Sequence, residues 1–99
     1  MNILLINPNT TASMTDKIGV AARLVADAGV TITALNPAMG PASIEGHYDG
    51  ALAVPGLLQV LRDNPADACI IACFDDTGLA AARSAKMAPK PSCSAAPGW

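Results

Sequence analysis

A chain of 99 residues and 10.0 kDa holds one domain at most, with a single modest core. Hydrophobic residues make up 52% and charged residues 14%, and mean hydropathy is +0.37, a balance that excludes a disordered polyelectrolyte. A net charge of −2 and a pI near 4.9 disfavour nucleic acid and anionic membranes as partners, and no apolar run reaches the roughly 18 residues of a membrane span.

Ile3 to Ile6 is a continuous apolar run, as in a strand buried on both faces of a parallel sheet. With no basic residue before it, it does not have the pattern of a secretory leader. A polar loop, Asn7 to Thr11, follows. Ser13-Met14-Thr15-Asp16 has capping-box spacing and predicts a helix start near Ser13. Met14, Ile18, Ala21, Ala22, Val25 and Ala28 recur at helical spacing, and Gly29 is a stop. Val30 to Leu35 predicts a second strand. Asn36 to Tyr48 carries too many breakers for a regular element, which leaves His47 in a loop. Asp49 can cap a second helix facing the core with Leu57, Leu58 and Leu61, kinked or delayed by Pro55-Gly56 and ended by Asn64-Pro65. Ala68 to Ala72 predicts the third strand, and a third helix runs from near Thr77 to about Arg83. Alternating strands and helices imply right-handed βαβ units: an α/β fold with a three-stranded parallel sheet in three layers, flavodoxin- or Rossmann-like.

The segment 84–99 differs in kind. It has no Val, Ile or Leu, against 21 in the first 83 residues, and Ala, Pro and Ser supply ten of its sixteen positions. On that composition neither a strand nor a packed helix face is expected there, and disorder is.

Ligands of open α/β sheets bind beyond the carboxyl ends of the strands. Three loops end there, and they offer Asn7 and Asn9, then Ser43, then Cys73 and Thr77. A helix starting near Thr77 adds free backbone N–H groups. No phosphate-loop motif is present. Cys73 falls where a strand meets a helix start, a setting that favours thiolate, although Asp75 and Asp76 oppose this unless they cap the helix or face solvent. The plainer reading of Cys73 is a small core residue, which also suits Cys69 within the strand. Asn7 and Asn9 could equally be turn formers. Three cysteines and one histidine lack the spacing of a zinc site or a disulfide framework, so a reducing cytoplasm is the expected setting.

Ile6-Asn7-Pro8-Asn9-Thr10-Thr11, Pro41-Ala42-Ser43-Ile44, Asp49-Gly50 and above all Ile71-Ala72-Cys73-Phe74-Asp75-Asp76-Thr77-Gly78 resemble the hydantoin racemase branch of the aspartate/glutamate racemase superfamily. The resemblance covers about residues 1–83. It implies a cofactor-independent racemase of 5-substituted hydantoins or of allantoin, built from two pseudo-symmetric α/β domains with one cysteine on each side of the substrate carbon. Cys73 matches the first of these cysteines. Asn7, Asn9, Ser43 and Thr77 match groups that hold the ring carbonyls and the enolate-like charge. Maleate isomerisation and arylmalonate decarboxylation, also found in the superfamily, fit the motif less well.

A family member continues for more than a hundred residues and brings a second cysteine in a Gly-Cys context. Here the pattern is expected to stop near Arg83, as after a change of reading frame. Cys93, in the tail, is not expected to replace the second cysteine. The alternatives to a truncated, impaired racemase are a non-catalytic fragment that binds a small ligand, and an α/β module whose open sheet edges pair with another copy or with a partner.

Overall fold

The computed structural model describes residues 1–73 and 76–95. Four strands form one parallel sheet in the order β2-β1-β3-β4, with β1 Asn2–Ile6, β2 Thr31–Leu35, β3 Ala68–Ile71 and β4 Ser92–Ala95. Three helices, α1 Ala12–Val25, α2 His47–Asp63 and α3 Leu79–Arg83, alternate with them. β1 is central and its apolar run serves both faces, because successive side chains of a strand point opposite ways. Leu4 and Ile6 join Leu57 and Leu61 of α2, Ala82 of α3, Cys69, Ile71 and Cys93. Leu5 faces α1 and packs with Ala22 and Ala72. The result is the expected three-layer α/β arrangement.

The fourth strand corrects the reading of the tail. Ser92–Ala95 pairs with β3, setting Cys69 opposite Cys93 and Ile71 opposite Ala95. Ser-Cys-Ser-Ala carries no strand-favouring branched side chain. Its extended state comes instead from the ladder with β3, from burial of Cys93, and from the Arg83 Nε donating to the Cys93 carbonyl at 3.0 Å. Strand propensity is weak beside such tertiary terms. Residues 96–99 of the predicted tail lie outside the described residues.

Helix boundaries also differ, and α1 ends at Val25, short of the expected stop at Gly29. α1 begins at Ala12, where the Thr11 carbonyl accepts the N–H groups of Met14 and Thr15, and no side chain caps it. α2 begins at His47, so His47 and Tyr48 occupy a helical first turn rather than a loop. The N-cap of α2 is Gly46 rather than Asp49; Asp49 lies in the first turn, where its carboxylate accepts the Glu45 N–H at 3.1 Å. Pro55 lies inside α2. An interior proline costs roughly 3 kcal/mol, which the complete burial of Ala53 and Leu57 and the near-complete burial of Leu61 offset.

Gly56 lets the loop after β2 lie on α2. A Cβ at this position would stand 2.8 Å from both the Met39 carbonyl oxygen and the Pro37 Cβ. Gly50, on the same helix, has nothing among the described residues within 4 Å of a Cβ. Gly56→Ala is therefore expected to destabilise, since overpacking costs roughly 1–3 kcal/mol against about 1 kcal/mol of helix propensity gained. Gly50→Ala keeps that gain and is expected to stabilise. Urea midpoints of the two variants check this, and equal shifts of the same sign would contradict the packing.

Candidate functional site at the carboxyl end of the sheet

The loop after β1 is held by its own side chains. Asn7 is almost fully buried, and its Nδ2 donates to Asn9 Oδ1 at 2.8 Å and to Thr15 Oγ1 at 3.1 Å. Thr15 Oγ1 in turn donates to Asn36 Oδ1 at 2.7 Å, joining the loops after β1 and β2. Asn9 Oδ1 also accepts the Thr11 N–H at 2.9 Å, which fixes the orientation of the Asn9 amide. Its Nδ2 is left against the Met14 sulfur at 3.2 Å. A thioether is a weak acceptor, so this donor is the one a ligand carbonyl can take over. Asn7 thus acts as the brace and Asn9 as the presenting group.

Cys73 follows β3 and is half-buried, with its Sγ 3.1 Å from Thr77 Oγ1. Thr77 is buried and lies between two left-handed residues, Asp76 at φ 52° and Gly78 at φ 75°. A non-glycine residue in that region is uncommon and clusters at functional turns. Here the turn directs the Thr77 hydroxyl onto the thiol. Asp76 is exposed, so its charge is turned to water; Phe74 and Asp75 lie outside the described residues. The expected anion-binding helix start is not built, because α3 has only five residues and begins after Gly78.

Asn7, Asn9, Ser43 and Cys73 line one cleft of about 500 Å³, together with Pro8, Ile18, Ile44 and Ala72. That volume lies within the roughly 300–1,000 Å³ of small-molecule sites. Four of the five residues singled out from the sequence therefore meet, and the fifth, Thr77, reaches the cleft through the thiol. Ser43 is exposed at the rim, with its Oγ 3.3 Å from Glu45 Oε1. Met14 and Lys17 of α1 also line the cleft. Helical spacing places them on one face with Ile18, but the sequence did not show that this face looks onto the loop. His47 borders a separate hollow with Asp76, Thr77 and Gly78.

The other two thiols belong to the core. Cys69 and Cys93 are buried opposite each other in the sheet. Burial, and then the neighbouring Cys93, push the Cys69 thiol up to about 12 from an ordinary 9.0. Such a cysteine is inert. A thiol whose folded value is raised stabilises the fold fully below pH 9.0, and that contribution falls as pH rises toward 12. The slope limit is ~1.36 kcal/mol per pH unit. Melting temperature is expected to fall more steeply above pH 9 in the wild type than in Cys69→Ala; parallel curves would contradict the burial.

Among the described residues, no helix is long and apolar enough to cross a membrane, and no group of three metal-ligating side chains gathers. The model of a protein family described as Asp/Glu/Hydantoin racemase matches residues 3–96, past Arg83 and through β4. A hydantoin racemase of Rhizobium meliloti is 51% identical over 92 residues, which are 90% of this chain and 38% of that protein. One from Paenarthrobacter aurescens is 46% identical over 87 residues, 84% of this chain and 37% of that protein. The solved structure of allantoin racemase from Klebsiella pneumoniae superposes with a TM-score of 0.86 at 44% identity, covering 96% of this chain and 39% of that one. The chain thus spans less than two fifths of these relatives' length, and the family's pattern does not end at Arg83 as expected. With a match over nearly all its residues, the chain belongs to the Asp/Glu/Hydantoin racemase family.

Proposed function

We propose that this chain forms the Cys73 half of a cofactor-independent racemase site for 5-substituted hydantoins. The observation that carries this reading is the single cleft shared by Asn9, Ser43 and Cys73, with Thr77 on the thiol. In the proposed step the Cys73 thiolate takes the proton from the ring carbon C5, and the electron pair moves into the adjacent carbonyl as an enolate. The Thr77 hydroxyl donates a hydrogen bond to the sulfur while the sulfur is anionic, a charge-assisted bond that leaves the proton on Thr77. Asn9 Nδ2 leaves Met14 and donates to the enolate oxygen, where a preorganised donor has its largest effect. Asn7 holds Asn9, and Ser43 meets the ring from the rim. The Cys73 thiol then returns a proton to the same face of C5.

Inversion needs a second proton donor on the opposite face. Cys69 and Cys93 lie in the core layer, so neither serves. A group outside the described residues has to supply it, and this chain alone exchanges the proton without efficient inversion. Allantoin is the second substrate reading, favoured by the likeness to the Klebsiella enzyme. Three free thiols fit a reducing cytoplasm. The open β2 and β4 edges and exposed Leu24 and Val25 support pairing with another copy. The experiment is deuterium uptake at C5 of a hydantoin in D₂O with the wild-type chain and with Cys73→Ala. Uptake that depends on Cys73 supports the assignment, and uptake indifferent to it removes the assignment.

A further inference from the structure

We propose that Lys17 is a specificity-determining residue of this cleft, and that the ligand class it selects is a hydantoin whose 5-substituent ends in a carboxylate. The inference deepens the hydantoin-site reading and rests on it. Met14, Lys17 and Ile18 stand at helical positions i, i+3 and i+4 of α1, and all three line the cleft. The polar groups of the cleft divide by depth. Asn7 and Asn9 are buried and Cys73 half-buried, whereas Lys17 is exposed. Pro8, Ile18, Ile44 and Ala72 supply apolar wall.

A ring held by Asn9 over the thiol fills the inner end only. Its 5-substituent has to run outward along the apolar wall, toward the mouth where Lys17 stands. No Asp or Glu is among the described residues that line the cleft, so the Lys17 ammonium is the one formal charge among them. The nearby carboxylate of Glu45 is outside the lining and in contact with Ser43. It disfavours an anionic substituent leaving on that side. An alkyl chain along the wall with an anionic end at Lys17 satisfies both parts of the surface. Because Lys17 is exposed, water and salt screen the pair.

The test uses the full 99-residue chain, isotopically labelled and titrated at low salt with 5-(2-carboxyethyl)hydantoin and with 5-propylhydantoin. The Asn9 side-chain amide resonance reads the binding. Wild type is expected to prefer the carboxylate compound by about two- to fivefold, the range of an exposed ion pair. Lys17→Met is expected to remove the preference and Lys17→Glu to reverse it, with the wild-type preference shrinking as salt is raised. Equal binding of both compounds by wild type, or a preference that survives in Lys17→Met, overturns the assignment of Lys17 alone. If neither compound moves the Asn9 resonance, the hydantoin-site reading falls and this inference falls with it.

Discussion

Leu57→Ala is expected to cost roughly 2–5 kcal/mol, the range for removing a fully buried leucine, and to leave much of the chain unfolded. Leu57 is completely buried and packs from α2 into the cluster of Leu4, Ile6, Leu61, Cys69 and Ile71. Domains are stabilised by only about 5–15 kcal/mol in total, so the loss is a large share. The same side chain also shapes the site. Its Cδ1 would lie 3.2 Å from a Cβ on Gly78, so it backs the turn that presents Thr77 to Cys73. The urea midpoint is expected to fall by about 1–5 M, given slopes of about 1–3 kcal/mol per M. Leu24→Ala, at a position 81% exposed, is expected to shift stability by less than about 0.5 kcal/mol. Equal shifts for the two variants would contradict the core described here.

Cys73→Ala is expected to reduce hydantoin C5 exchange about 10²- to 10⁴-fold, the usual contribution of a positioned acid–base group. The effect is large because no other described thiol can replace Cys73. Cys69 is fully buried and its proton is held until about pH 12, and Cys93 is buried beside it. Cys73→Ser is expected to fail equally, since a hydroxyl is far harder to ionise than a thiol. Cys69→Ala is expected to keep exchange, which separates loss of chemistry from loss of fold. Exchange retained in Cys73→Ala and lost in Cys69→Ala would reverse the roles given to the two cysteines.

Much of this molecule was legible in local patterns. The apolar runs of β1 and β3 and the helical spacing of α1 and α2 each mark an element that buries its own side chains. Asn7 and Asn9, Ser43, and Cys73 come from three different loops, and strand polarity brought them to one end of the sheet. What escaped the sequence is what tertiary contacts decide. β4 has only small side chains, and it exists because β3 offers it a ladder and Cys69 offers Cys93 a buried neighbour. The continuation of the family's pattern past Arg83 was hidden for the same reason. Asn7 and Asn9 look alike as residues, yet hydrogen bonding makes one a brace and the other a donor facing a thioether. Thr77 stands four residues beyond Cys73, and only the left-handed turn at Asp76 and Gly78 folds its hydroxyl back to the sulfur. Lys17 carried no signal in the sequence, and it joins the site because the α1 face of Met14, Lys17 and Ile18 lines the same cleft as Asn7 and Asn9.

The central claim is that Cys73 is a one-sided acid–base group facing the ring of a bound hydantoin. It is tested most directly by following one enantiopure 5-substituted hydantoin in D₂O, reading deuterium at C5 and optical rotation in the same tube. The structure predicts that the wild-type chain introduces deuterium well before rotation is lost, with the configuration retained and the uptake abolished in Cys73→Ala. Rotation lost as fast as deuterium enters, or no uptake by folded wild-type chain, would contradict it.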